Sequence, residues 1–244
     1  MLQKTKGLVL RSVKYGETSL ISTIFTESSG IQSFMVQGVR SSKSRQNRAG
    51  SFQPGTLLEM VIYLQPGKNL QRIKEYQAAC FYTSMHEEVI KNSIALFSIE
   101  ILLRLLPEHA PLPELFAFAY NYFTTLDQLP VKSVANFPLF FIIHCSKEFG
   151  VEPHGNYSAT TPYLNLEEGG FTEHVPAVAV AVTDDDTRSL DQLLRITDLG
   201  ELQVITLNAD IRLRLIHWYV AYLQKHTQHM GNIRSLSILR TILH

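Results

Sequence analysis

The hydrophobic period of this chain changes near residue 80, and the change limits it to a two-part α+β architecture. Before it, apolar and β-branched residues fall in short extended runs at residues 7–11, 20–26, 31–39, 57–63 and 70–76. Turn-forming residues separate the runs, and Ser28-Ser29-Gly30 has the length of a hairpin connection. Five short strands within eighty residues predict a small barrel, because closure removes the unpaired edges an open sheet of this size would leave.

After the change the apolar residues recur at helical spacing. Ile90, Ile94, Ala95, Phe97, Ile101, Leu102 and Leu105 form one face, and Pro107 stops that helix. A second helix opens at Pro111–Pro113 and carries Leu115, Phe116, Phe118, Ala119, Tyr122 and Phe123. A third spans residues 133–149, with Gly150 as its cap. A Pro-, Gly- and Asn-rich insert follows at about residues 150–182, with extended pieces expected at 162–166, 169–172 and 177–182. Two more helices are expected at 189–196 and 208–226, the latter with Trp218 as a packing anchor. The expected organisation is a β-barrel domain over residues 1–80 and a mostly helical domain over 81–244.

Charge divides at the same place. The first eighty residues hold eleven Lys or Arg against four acids, Glu17, Glu27, Glu59 and Glu75, a net of +7. The remaining residues hold eleven bases against eighteen acids, a net of −7, so the zero net charge of the chain conceals two opposite halves. A small basic domain is suited to an anionic ligand, and the acidic remainder would confine that ligand to one end. The stretch 38–54 carries Arg40, Lys43, Arg45 and Arg48 with no acid, and it is too polar to order itself by burial. Lys68, Arg72 and Lys74 add charge nearby; Arg72 and Lys74 are two apart on one strand and so share a face.

An apolar fraction of 45% is ordinary for a globular chain, and no apolar run approaches the roughly 20 residues of a membrane helix. The first residues lack an apolar signal region. Cys80 and Cys145 are too few for a disulfide framework and read as reduced, buried thiols of a cytoplasmic protein. No phosphate-binding glycine loop, dinucleotide fingerprint or nucleophile elbow is present. Asp184-Asp185-Asp186 could imitate a divalent-metal site, but acids at a helix start are favoured by its dipole and caps, which is the preferred reading. His226 and His229 are read as a solvent-facing helix end rather than a zinc pair. Nothing pairs Cys145 with a base. No enzyme activity and no cofactor are expected.

The order of several short segments resembles the RecO family of bacterial recombination mediators. They are Lys6-Gly7-Leu8-Val9-Leu10-Arg11, Lys14-Tyr15-Gly16-Glu17-Thr18-Ser19-Leu20-Ile21, Phe25-Thr26-Glu27 and Gly38-Val39-Arg40 in the basic half. Leu102-Leu103-Arg104-Leu105-Leu106-Pro107-Glu108, Pro162-Tyr163-Leu164, Glu167-Glu168-Gly169-Gly170-Phe171 and Arg234-Ser235-Leu236 continue the match. The resemblance implies an N-terminal OB-fold barrel and a mostly helical C-terminal domain. It also implies binding of single- and double-stranded DNA, annealing of complementary strands, and help in loading RecA. Its implied partners are RecR and the C-terminal tail of the single-stranded-DNA-binding protein, with a cytoplasmic, nucleoid-associated location and no membrane. Many family members carry a four-cysteine zinc site in the insert; residues 150–175 here contain no cysteine, and His154 and His174 cannot complete a tetrahedral site. No zinc is expected, and packing through Tyr157, Tyr163 and Phe171 is expected to hold the insert.

The expected nucleic-acid contacts are Arg11, Lys14, Arg40, Lys43, Arg45, Arg48, Lys68, Arg72 and Lys74, all to phosphates. Tyr15 and Phe34 are candidates for base stacking, with core packing the better reading of Phe34. The rival readings are an adaptor whose basic end binds an acidic peptide, and a metal-dependent nuclease built on Asp184–Asp186.

Overall fold

A computed structural model describes residues 1–39, 48–176, 182–228 and 230–243, with the backbone alone for Arg48 and Ala49. The chain forms two compact units, one of Met1–Ser84 with Leu106–Asp127, the other of Met85–Leu105 with Gln128–His244.

The first unit contains a closed barrel of β1 (Leu2–Tyr15), β2 (Ser19–Thr26), β3 (Gly30–Val36), β4 (Leu57–Tyr63) and β5 (Leu70–Ala78) in the order β1-β2-β3-β5-β4. This is an OB-fold. The first strand is longer than its apolar run because it pairs with β4 from Leu2↔Tyr63 to Leu8↔Leu57 and with β2 from Gly7↔Thr26 to Tyr15↔Ser19. A bulge at Leu10 bends the strand within its pairing to β2, just past the end of its pairing to β4. The interior holds Val9, Leu20, Ile24, Phe34, Leu58, Met60 and Ile62. Phe34 is therefore core. A Cβ on Gly7 would lie 2.5 Å from the Met60 methyl and 2.6 Å from a methyl of Ile24, so any larger residue would make the barrel core shift.

One outer row of the barrel is also dry. Leu57, Leu8 and Phe25 pair in succession and point away from the interior, yet all are fully buried. Helix α2, which spans Pro113–Gln128 if the helix over Val89–Leu105 is α1, brings Phe116 edge-on to Phe25 at 5.4 Å. Segment 106–127 makes further ties to the barrel. Glu108 bridges Ile31, Gln32 hydrogen-bonds His109, and a Cβ on Gly30 would meet the Ala110 carbonyl oxygen at 2.2 Å. Asp127 accepts from the backbone N–H of Thr83 and Ser84 at the end of the unit's first stretch.

The second unit packs α1 and α3 (Phe137–Glu148) with α4 (Asp184–Leu194), the short α5 (Leu199–Leu202), α6 (Ala209–His226) and α7 (Ser235–Ile242). Helix α3 ends on Gly150 at φ +66°, as its sequence predicts. Trp218 is buried and stacks on Tyr222 at 5.4 Å. Cys145 is buried, whereas Cys80 of the first unit is partly exposed, contrary to the sequence expectation.

The insert carries the hairpin β6 (Tyr163–Asn165) and β7 (Gly170–Thr172). The extended piece expected at 177–182 falls largely outside the described residues. Phe171 is buried, and the Tyr157 hydroxyl donates to Asp184 while the Arg188 guanidinium lies over its ring. Tyr163 is more than a third exposed and does not hold the insert by packing. His226 takes that part instead, which corrects its reading as a solvent-facing residue. Its Nε2 lies 2.9 Å from the Leu166 carbonyl, its ring tilts on Tyr222 at 4.5 Å, and the neighbouring Lys225 pairs with Glu167. His229 lies outside the described residues.

The three consecutive aspartates begin α4 and close its first turn. Thr183 accepts from the Asp186 N–H, and Asp186 accepts in return from the Thr183 N–H at 2.7 Å, a reciprocal cap. Fully buried, Asp186 also receives the Arg214 guanidinium through two bonds of 2.9 and 3.0 Å. Asp184 pairs with Arg188. Removing Asp186 would strand Arg214 and a helix-terminal N–H together. Asp186→Ala is expected to cost about 2 kcal/mol in urea denaturation, and the midpoint of the unaltered protein is expected to be the same with magnesium or chelator; a midpoint that follows the metal would restore the metal reading.

The start of α7 lacks a side-chain cap of its own. Glu100 of α1 supplies one, accepting from the N–H of Arg234 and of Ser235, both at 2.9 Å, and from the Ser235 hydroxyl. Burial by itself would raise this carboxyl. The hydrogen bonds from Ser235 and Arg234, with the charge of Arg104, outweigh it and hold the group below its ordinary value. A depressed carboxyl contributes stability above its unfolded value, roughly 4.3, that is lost as pH falls through the folded value. Glu100→Gln is expected to lower stability near neutrality and to flatten its loss on acidification, as read by urea melts over a pH series.

Candidate nucleic-acid interface

The outer surface of the barrel has two electrostatic regions, set by strand register. On β1, β4 and β5, Lys6 pairs with Glu59, Glu59 with Gln77, Lys4 with Val61, and Val61 with Glu75. Side chains in these registers face outward together and form a cleft of about 680 Å³ lined by Lys4, Lys6, Glu27, Glu59, Glu75 and Gln77, among others. Gln77 donates to Glu59 at 2.7 Å, and the Lys6 ammonium lies 5.0 Å from the centre of the Tyr120 ring. Three of the four acids of the first eighty residues line this one cleft, where they offset its two lysines.

The basic surplus therefore falls elsewhere. A second outward row runs Val13, Ile21, Met35, Arg72, Tyr63 across β1, β2, β3, β5 and β4. Where β3, β5 and β4 meet, a cleft of about 540 Å³ is lined by Met35, Tyr63, Gln65, Lys68, Leu70, Gln71 and Arg72. It contains two cations and no acid. Tyr63 is 44% exposed and sits directly opposite Arg72. The β2–β3 surface flanked by the β1–β2 and β4–β5 loops is where OB-folds take oligonucleotides and oligosaccharides. Here Lys68 belongs to the β4–β5 loop.

The structure places the candidate cations unequally. Lys68 and Arg72 share the cleft. Arg11 is exposed on the outer surface of β1, two residues before Val13, with β2 and β3 between it and Arg72, roughly 14 Å along the sheet at about 4.8 Å per strand. Lys14 pairs with Leu20 and so takes the opposite phase of β1 from Arg11. A bulge in β5 leaves Lys74 and Glu75 exposed side by side, and they form an ion pair at 3.2 Å. Arg40, Lys43 and Arg45 lie outside the described residues, as does the side chain of Arg48. Tyr15 is exposed and shares the outward phase of Arg11 and Val13.

Sequence reasoning missed Tyr63 and Met35. Tyr63 ends an apolar strand and reads as one more core position; its alternation with buried Ile62 was the available signal. Among the described residues no three His, Cys, Asp or Glu side chains gather as a metal set, and no helix is long and apolar enough to cross a membrane.

Comparison with known proteins matches residues 1–81 to the family described as Recombination protein O N terminal, and residues 86–236 to Recombination protein O C terminal. A protein named DNA repair protein RecO from Bacteroides fragilis is 32% identical over 99% of this chain and 99% of its own length. Proteins of the same name from Flavobacterium johnsoniae and Christiangramia forsetii are 30% and 28% identical, over 98% and 99% of both chains respectively.

Proposed function

Because this chain belongs to the RecO family of DNA repair proteins, we propose that it serves repair as a non-enzymatic mediator that holds DNA on the basic face of its OB barrel. The reading is carried by the division of charge: Lys4 and Lys6 are offset by glutamates, while Lys68 and Arg72 flank an acid-free cleft floored by Met35 and Tyr63. Two cations beside an exposed ring suit a single strand, whose phosphates meet Lys68 and Arg72 while a base stacks on Tyr63. Such contacts carry no sequence code. Arg11 and the basic stretch containing Arg40, Lys43, Arg45 and Arg48 extend the phosphate contacts, with Lys14 and Lys74 at their margin.

Annealing follows from the same physics. Neutralised phosphates repel a second strand less, and contacts to the backbone leave base edges exposed for pairing. Double-stranded DNA is held by the same phosphate contacts. In the cell this activity would act at the nucleoid, with RecR and the C-terminal tail of the single-stranded-DNA-binding protein as partners, to help RecA load.

Binding of a labelled oligothymidylate, followed by anisotropy over a salt series, tests the reading. With about four phosphates neutralised, log affinity should fall against log salt with a slope of about −3. Lys68→Ala and Arg72→Ala should each weaken binding and shrink the slope by about 0.7, whereas Lys4→Ala should leave both unchanged. A flat salt dependence in the unaltered protein, or equal losses at Lys4 and Arg72, would overturn it.

A further inference from the structure

Lys68 stands on a six-residue connection, 64–69, that contains no strand or helix. A connection of that kind ordinarily samples many shapes, and ordering it on binding would subtract from affinity. One buried side chain at the start of β5 restrains it. Gln71 is 4% exposed, and both ends of its amide are used. Its Oε1 accepts from the Gln65 N–H at 2.9 Å, and its Nε2 donates to the carbonyls of Gln65 at 3.0 Å and Lys68 at 2.7 Å. The loop adds its own turn, with the Lys68 N–H donating to the Gln65 carbonyl and Gly67 at φ +78°.

Only a primary amide satisfies this set. A carboxylate would face two carbonyls with no proton to give, and an apolar side chain would leave the Gln65 N–H and the Lys68 carbonyl without their partner. The amide bonds the carbonyl of Lys68 itself, so the direction in which the lysine leaves the backbone depends on Gln71.

We propose that Gln71 is a positioning residue for the basic cleft: its buried amide fixes the β4–β5 loop so that Lys68 is held ready beside Arg72 before a phosphate arrives. The proposal rests on the DNA-binding reading above. It assigns to an uncharged, buried residue a share of the affinity for a polyanion.

The test is a double-mutant cycle on oligothymidylate affinity with Gln71→Met, which keeps the volume and loses the amide, and Lys68→Ala. Each single change should lose about fivefold at 0.1 M salt and shrink the salt slope by about 0.7, the share of one phosphate. The double variant should bind no more weakly than either single one, because each removes the same contact. Losses that multiply, or a Gln71→Met variant with the affinity and slope of the parent, overturn the proposal. A general loss of barrel stability would lower the melting temperature without altering the slope, which also counts against it. If Lys68→Ala and Arg72→Ala both bind like the parent, it is the DNA reading of the cleft that fails. Hydrogen exchange on the unaltered protein decides the latch independently of any variant: the Gln65 amide should exchange slowly, and fast exchange would refute the latch.

Discussion

The barrel depends on one long strand serving a different neighbour at each of its ends. β1 pairs with β4 over Leu2–Leu8 and with β2 over Gly7–Tyr15, with Gly7 and Leu8 common to both, and the bulge at Leu10 bends it beyond that overlap. With the parallel contact of β3 and β5, this leaves no strand of the barrel with an open edge. Closure also fixes register, and register decides which outer positions are neighbours. The placement of Arg72 between Met35 and Tyr63, and of Glu59 between Lys6 and Gln77, are consequences of the same pairing.

The electrostatic division of the barrel is thus a property of strand order more than of composition. A net of +7 spread evenly over a small domain would attract any polyanion to any side. Concentrating three glutamates against Lys4 and Lys6 removes one region from competition and leaves direction to the rest. Both cations of the acid-free cleft stay near solvent, where salt screens them, so their contribution is short in range and modest in strength. Tyr63 offers a contact that salt does not screen.

The change of period, the five strands, the core helices, the α4 cap and the closing role of Gly150 were legible because each has a local cause. Less accessible were features whose cause lies far along the chain. Glu100 caps α7 across 135 residues, and His226 holds the insert through a carbonyl 60 residues before it. The ion pair of Lys74 and Glu75 depends on a bulge that alternation alone does not announce. One signal was present and unread: Leu8-Val9-Leu10, Ile24-Phe25 and Leu57-Leu58 place apolar residues on both phases of three strands. Strands of that kind are covered on both sides, and the second cover is α2, which groups with the barrel.

That grouping has a consequence for synthesis. The chain leaves the barrel's unit after Ser84, spends α1 in the other unit, and returns from Leu106 to Asp127. When all five strands have emerged from the ribosome, the outer row of Leu57, Leu8 and Phe25 still lacks Phe116, and the N–H groups of Thr83 and Ser84 lack Asp127. A nascent barrel must therefore wait with an uncovered greasy stripe for some forty more residues, the interval in which a chaperone or a premature neighbour would find it.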